Sequence, residues 1–253
     1  MLVSRAEEHG GVERYVEALR LKSAMFREAL SRADVPLELP MFKALCAHLS
    51  TVRRRIGPYL ESGPFAGLRA QIARLLRDRE DTTTADNRIG GFCAGFPEDR
   101  EHRWARDLAV EILHNVDPER YPLMCRWVWD ARTNTGVLRE IWHGDDIDHI
   151  VIDVPDCYGT FVMLREELAQ FLSTNGVFRD VVHYVDLLTA QVYANYITEQ
   201  GGHYLRADFA TPEDPMLHTR RLLGLDGVDA KGRSHLKAAD GRAVVLDDVK
   251  RLN

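Results

Sequence analysis

The sequence predicts a mainly α-helical protein, organised like a multi-helix bundle with a small β element. This prediction rests on about seven segments whose apolar residues recur at helical spacing. The β element consists of one short β-branched stretch near 149–155 and a possible hairpin near the C-terminal end. A chain of 253 residues buries about three-quarters of its unfolded surface, so its core needs neither a disulfide nor a metal.

Residues 1–80 are predicted to form an N-terminal region of three helices. The segment 11–32 places apolar residues on one face and charges on the other, as an amphipathic helix does. Two prolines follow it, and a second apolar stripe at three- and four-residue steps spans 42–56. A third helix opens at the Gly-Pro pair 63–64. Three such helices with short loops are typical of a small bundle.

Residues 81–202 are predicted to form a central helical domain. It opens with a polar, glycine-rich stretch over 81–98, which we interpret as a loop. A helix follows from about residue 98 to residue 115, with acidic residues in its first turn as the helix dipole prefers. A short helix is then expected over 137–142.

The second half of this domain contains the predicted strand and two more helices. The strand covers 149–155, where valine and isoleucine dominate. A helix is expected over 161–174, closed by the pair 175–176, Asn-Gly, as a C-cap. A long apolar helix is expected over 178–200.

Residues 203–253 are predicted to form an irregular C-terminal tail. Prolines and glycines interrupt its pattern, and a hairpin is expected around Asp240-Gly241. The tail also carries large apolar residues that need burial, namely Phe209, Met216, Leu222, Leu223 and Leu225. We therefore expect this segment to contact a partner protein or a second copy of the chain.

Composition excludes several classes of protein. Hydrophobic residues at 45% and charged residues at 28% are typical of globular chains and argue against disorder. No apolar run is long enough for a membrane helix, and Glu7 and Glu8 lie where a secretory signal would be apolar. The four cysteines contain no CxxC pair, so we expect free thiols and a cytoplasmic location.

Charge is distributed unevenly along the chain. The net charge of −6 is too acidic for a protein that coats nucleic acid. The first 80 residues nevertheless hold 14 Lys and Arg against 10 Asp and Glu, and a basic half can bind a polyanion. The alternatives are a set of solvated helix faces and a match of opposite charges between the two halves of the chain, within one molecule or between subunits. The candidate anion- or nucleic-acid-binding residues are Arg53, Arg54, Arg55 and Arg88.

Arg88 opens a glycine-rich segment before a predicted helix, where backbone amides could also hold an anion. A structural loop is the alternative for this segment. Further along, an aromatic block over 121–142 includes Arg126 and Arg132 and could stack nucleic-acid bases. Large aromatic residues are more often part of a core.

The densest cluster of potential metal ligands lies between residues 143 and 156. Its candidate ligands are His143, Asp145, Asp146, Asp148 and His149. Carboxylates with imidazoles suit zinc, iron or manganese, and carboxylates alone suit magnesium or calcium. The cluster therefore predicts a divalent metal, although its spacing fits no standard metal-binding loop. The alternative is a solvated acidic loop neutralised by Arg139.

A second possible metal motif is the ExxH pair of Glu111 and His114. On a helix this spacing puts a carboxylate and an imidazole on one face, as di-iron bundles require. A second ExxH is missing, and the nearest substitute is His183 with Asp186 in reversed order. The alternative is an exposed pair without a metal.

Three functions are consistent with these observations. The first is a soluble helical accessory or regulatory protein that acts by protein–protein interaction, since no complete catalytic motif is present. The second is a metal-dependent enzyme centred on 143–156. The third is nucleic-acid binding through arginines of the N-terminal helices.

Overall fold

A computed structural model describes most of the chain. The described residues are 11–31, 36–63, 65–142, 151–202, 216–229 and 232–246. Within these ranges the chain forms ten α-helices and one two-stranded antiparallel sheet, which confirms the mainly α-helical prediction. None of the helices in the same ranges combines the length and the apolar character needed to cross a bilayer.

The elements follow one another along the chain, with a 3₁₀ turn at Thr82–Thr84 before the fifth helix. The helices are α1 Val12–Leu30, α2 Leu39–Ala47, α3 Ile56–Ser62, α4 Phe65–Leu76, α5 Ala85–Cys93, α6 Trp104–Val116, α7 Val137–Ile141, α8 Tyr158–Thr174, α9 Val181–Gly202 and α10 Leu217–Leu222. The strands are β1 Arg233–Lys237 and β2 Ala243–Val245. The hairpin predicted around Asp240-Gly241 is confirmed, because these residues form the turn between β1 and β2.

The helix predicted over 42–56 is two helices separated by a series of turns. The amide of Val52 donates to the carbonyl of Leu49, and the amide of Ile56 donates to that of Val52. These turns keep the apolar residues at three- and four-residue steps, as a helix does. The side chains of Leu49, Val52 and Ile56 are all fully buried. The apolar periodicity therefore continues where the regular helix stops.

The stretch 81–98 is not a continuous loop. The side chain of Asp81 accepts a hydrogen bond from the amide of Thr83, and α5 starts two residues later. Residues Ala85, Ile89 and Phe92 of α5 are buried at helical spacing. This pattern is present in the sequence, but the adjacent glycines obscure it.

The predicted strand over 149–155 does not form in its described part, 151–155. The amide of Ile152 donates to the side-chain oxygen of Asn134, and the carbonyl of Val154 accepts from the indole of Trp129. Side chains thus take the bonds that a neighbouring strand would make. Ile152 is buried whereas Val151 is exposed, so the β-branched composition reflects one anchored side chain.

One hydrophobic core joins the described parts of the chain. Its members run from Val12 in α1 to Leu236 in β1 and include the fully buried rings of Trp104 and Trp129. The division at residues 80 and 202 stays a sequence-based prediction.

The C-terminal segment 216–246 packs against the N-terminal helices. The buried ammonium of Lys22 donates to the carbonyl of Leu223 at 2.9 Å, and the hydroxyl of Ser50 donates to that of Leu222 at 2.8 Å. Gly224 has a φ of 70° and lies so close to the carbonyl of His48 that a Cβ atom would be 1.9 Å from its oxygen. Glycine is therefore required at this contact.

Candidate functional site

The five predicted metal ligands lie outside the described residues. They are His143, Asp145, Asp146, Asp148 and His149, so the metal site stays a prediction. In the ranges that the structure describes, no group of three or more His, Cys, Asp or Glu side chains could hold a metal ion.

Two of the four predicted anion-binding arginines serve the fold. Arg53 is buried, and its guanidinium binds both carboxylate oxygens of Asp226 at 2.7 and 3.0 Å. Arg88 donates to the carbonyl of Leu75 and to the hydroxyl of Tyr121, and it lies inside α5 rather than in a loop. Arg54 and Arg55 are exposed.

The ExxH residues Glu111 and His114 are buried inside the bundle, on α6. The Nδ1 atom of His114 lies 2.9 Å from the carbonyl of Tyr121, and its Nε2 atom lies 3.2 Å from a carboxylate oxygen of Asp186 on α9. His183 approaches the same oxygen at 3.8 Å. The pair of His183 and Asp186, which has the reversed order in the sequence, therefore lies next to His114 of the ExxH motif.

Burial and charge act in opposite directions on this buried cluster. Burial disfavours the charged forms of both His114 and Asp186, but their attraction and hydrogen bonding outweigh it. The pKa of His114 is consequently raised, and that of Asp186 is held far below its usual range. The two groups form a charged pair in the core.

Lys22 of α1 and Glu111 of α6 form a second buried ion pair, with 3.4 Å between Nζ and Oε2. The hydroxyl of Thr51 donates to the other carboxylate oxygen of Glu111 at 3.2 Å. Burial raises the pKa of Glu111 more than the positive charge of Lys22 lowers it. The pair links α1, α6 and the turn before α3.

The buried clusters do not form a substrate site. The cavity that Asp186 lines has a volume of about 10 Å³, which is room for about one water molecule. The side chains can hold a proton there but have no space for a substrate. They act as cross-links between α1, α6 and α9.

The surface of α8 offers a different kind of site. The core-facing residues Phe161, Leu164 and Leu172 are buried. Met163 and Phe171 lie off this stripe, and 71% and 57% of their surfaces are exposed. We did not predict this surface from the sequence, although apolar residues outside the core stripe of a helix are a signal for it.

The end of α8 presents a third exposed apolar side chain, Phe178. The amide of Gly176 donates to the carbonyl of Ser173, and the amide of Val177 donates to that of Leu172. With a φ of 87° at Gly176, these bonds form the Schellman motif that the Asn-Gly pair predicts. The motif fixes the chain direction, and Phe178 follows it with 76% of its surface exposed. We call Met163, Phe171 and Phe178 the α8 surface.

Phe178 also lines an open groove of about 580 Å³ between α1 and the loop after α8. Its charged lining residues are Glu13, Glu17, Arg20, Arg179 and Asp180. Arg20 approaches Glu17 at 3.6 Å and Asp180 at 3.8 Å. Helix α8 adds Glu166 and Glu167 against Arg165, whose guanidinium lies 3.0 Å from the carboxylate of Glu166. The combined region therefore carries five carboxylates against three guanidinium groups.

The chain matches no protein-family model, no curated protein and no solved structure.

Proposed function

We propose that this chain is a helical accessory protein that binds a partner protein through the α8 surface. The observation that supports this proposal is the exposure of Met163, Phe171 and Phe178 on one helix and its C-terminal turn. A single exposed apolar residue is ordinary, but three large ones on one helix and its end are more than scattered surface exposure requires. Burying the exposed part of each side chain contributes about 1–2 kcal/mol, which offsets part of the entropic cost of association.

The charges around the α8 surface specify the partner's chemistry. Glu166 and Glu167 lie on α8 together with Arg165, and the groove beside Phe178 adds three carboxylates against two guanidinium groups. The occupant that fits is an amphipathic helix with apolar anchors and basic flanking residues, since complementary charge favours encounter and correct orientation.

The C-terminal segment is a weaker candidate for contact with a partner protein than its sequence predicts. Met216, Leu223 and Leu225 are buried in the core of the same chain. Their need for burial is met without a partner. Phe209 lies outside the described residues.

A titration with a model helix tests the proposal. The probe is a fluorescent peptide with leucines at i, i+3, i+4 and i+7 and lysines elsewhere, and a leucine–glutamate peptide of the same pattern is the charge control. We expect the basic peptide to bind and the Phe178→Ala variant to bind it about tenfold more weakly. Leu21→Ala removes an exposed leucine of α1 as the matched control.

Three results would contradict this function. They are equal binding of both peptides, no binding of either, and equal binding by the Phe178→Ala variant. The remaining possible occupant of the α8 surface is a second copy of the chain, and sedimentation of the chain alone tests for it. A dimer that dissociates in the Phe171→Ser variant would assign the surface to that second copy.

The metal-dependent enzyme remains an alternative proposal, supported only by the sequence of 143–156. If a divalent ion binds there, adding it should raise the Tm by mass action. Asp146→Asn or His149→Ala should abolish that gain. A Tm that is unchanged with magnesium, manganese, zinc and iron(II) would remove this alternative.

A cytoplasmic location fits the cysteines, because all four are free thiols and the cytoplasm keeps thiols reduced.

A further inference from the structure

The groove beside Phe178 has one wall that is held in place at both of its ends. This wall is the loop between α8 and α9, and the Schellman motif at Gly176 fixes the direction in which it leaves α8. At the other end of the loop, the carbonyl of Asp180 accepts from the amides of His183 and Tyr184 in the first turns of α9. Asp180 has a φ of 52°, a left-handed conformation that aspartate adopts more readily than most residues. The shape of the groove is therefore set by the chain itself.

The second wall of the groove is helix α1. Glu13, Glu17 and Arg20 line it, and their steps of four and three residues put them on one face of the helix. Between the two walls lie the buried side chain of Val16 and the half-buried ring of Tyr184. The volume of about 580 Å³ is in the range of ligand-binding sites, so the groove has room for a long side chain.

The charges of the two walls are not balanced. Arg20 lies 3.6 Å from a carboxylate oxygen of Glu17 on its own helix and 3.8 Å from one of Asp180 on the loop. One guanidinium is therefore shared by two carboxylates. The exposed carboxylate of Glu13 takes no part in this network. The groove consequently offers negative charge to a ligand.

The carboxylates of Glu13 and Asp180 act on the same part of the groove. Burial raises the pKa of the Tyr184 hydroxyl, and the negative charges of Glu13 and Asp180 raise it further. The rings of Tyr184 and Phe178 belong to the same lining. A long basic side chain can pack its aliphatic stem on such apolar surface, while its charged end is attracted by ring faces and by carboxylates. The lining therefore matches lysine or arginine.

We propose that this groove binds a lysine or arginine side chain from the end of the partner helix that lies nearest to Phe178. The inference rests on the proposed function, because apolar anchors on Met163 and Phe171 bring one end of the partner helix next to the groove. It goes further by assigning a basic residue to that end and by assigning Glu13 as the group that selects it. Three carboxylates against two guanidinium groups in the lining favour a basic side chain over an acidic one.

Three leucine–lysine peptides test the groove at constant ionic strength. One is the basic peptide described above, and the other two carry glutamines in place of the lysines of either the first or the last turn. We expect one glutamine peptide to bind the wild type about two- to fivefold more weakly, as the loss of an exposed ion pair requires, and the other to bind nearly as well as the basic peptide. Glu13→Gln should weaken binding of the basic peptide by the same factor. It should not weaken binding of the more weakly bound glutamine peptide further, because both changes remove the same contact.

Two other variants check the sign and the place of the effect. Arg179→Gln removes a positive charge from the lining and should bind the basic peptide about twofold more tightly. Glu28→Gln is the matched control, since it changes an exposed glutamate of α1 that does not line the groove, and it should bind like the wild type.

The position of Glu13 suggests a competing role that the same titrations separate. Glu13 lies in the first turn of α1, where a carboxylate stabilises the helix dipole. A purely structural role would lower the Tm of Glu13→Gln and leave its affinity for the basic peptide unchanged, which would overturn the groove inference. Equal affinities of the two glutamine peptides, or equal weakening of all three peptides by Glu13→Gln, would also overturn it. In each of these cases the basic peptide still binds and the α8 surface stands, whereas no binding of the basic peptide by the wild type would overturn both proposals.

Discussion

Protonation of His48 should destabilise this fold, because the imidazole is buried as a neutral base at the contact between α2 and the C-terminal segment. Its Nδ1 atom lies 3.2 Å from the carbonyl of Gly224 and must donate to it. Its Nε2 atom has no hydrogen-bond partner among the described residues. Burial lowers the pKa of His48 to about 4, and the positive charges of Lys22 and Arg53 add to this, against the Gly224 carbonyl and Asp226.

The expected loss of stability follows from the two states of His48. In the unfolded chain the imidazole takes up a proton near pH 6.5, whereas in the folded chain it does so only near pH 4. As the pH falls between these values, the proton stabilises only the unfolded chain. The difference corresponds to about 3 kcal/mol of unfolding free energy, which is fully present above pH 6.5 and is lost on reaching about pH 4.

Urea unfolding between pH 7.5 and pH 4 measures this loss. The variant His48→Asn keeps a side-chain N–H that can donate to the carbonyl of Gly224 but cannot take up a proton. The wild type should lose about 3 kcal/mol more than this variant over the interval. His218→Asn, in α10, controls for removing a histidine elsewhere. Parallel curves for the wild type and His48→Asn would refute the reasoning.

Three further predictions concern other parts of the molecule. Asp186→Asn leaves His114 buried without its charged partner and should lower the unfolding free energy by about 3–5 kcal/mol in urea titrations. The pKa of His114 is raised, so the stability from its charge is fully present below pH 6.5 and is lost as the pH rises through the folded pKa. The wild type should therefore lose stability as the pH rises above 6.5, and Asp186→Asn should not. Gly224→Ala places a Cβ atom against the carbonyl of His48 at positive φ and should cost at least about 2 kcal/mol, with faster proteolysis within 216–246; proteolysis at the wild-type rate would contradict it. Met163→Ser changes an exposed side chain, so the free energy of unfolding should change by no more than about 0.5 kcal/mol, whereas the affinity for the basic peptide should fall.

Local periodicity predicts most of the helices because their burial is one-sided. The core stripes of α1, α4 and α8 recur at helical steps, and the Asn-Gly pair 175–176 ends α8 as expected. Periodicity alone fails where turns preserve the same spacing, as at residues 49–56. It also fails where glycines mask a stripe, as in α5.

The buried ion pairs could not be predicted from local sequence. His114 and Asp186 are 72 residues apart, and Arg53 and Asp226 are separated by 173 residues. Only the packing of α6 against α9, and of the C-terminal segment against α2, brings these charges together. For the same reason local sequence does not reveal that Glu111 and His114 of the ExxH pair are both buried, which rules out the alternative of an exposed pair. The α8 surface had a local signal, since Met163 and Phe171 interrupt the polar face of an otherwise amphipathic helix.

The buried charges also bear on which surface is free to bind a partner. If the segment 216–246 moved away to a partner, Arg53 would lose Asp226 and Lys22 would lose the carbonyl of Leu223. Detachment would also expose Met216, Leu223 and Leu225, and each buried apolar side chain contributes about 1.5–3 kcal/mol, so it would cancel much of the energy of a typical interface. The outer face of α8 carries no such cost, because Phe161 and Leu172 hold the helix to the core while Met163 and Phe171 already contact solvent. A partner that covers this face gains apolar burial without breaking an internal bond.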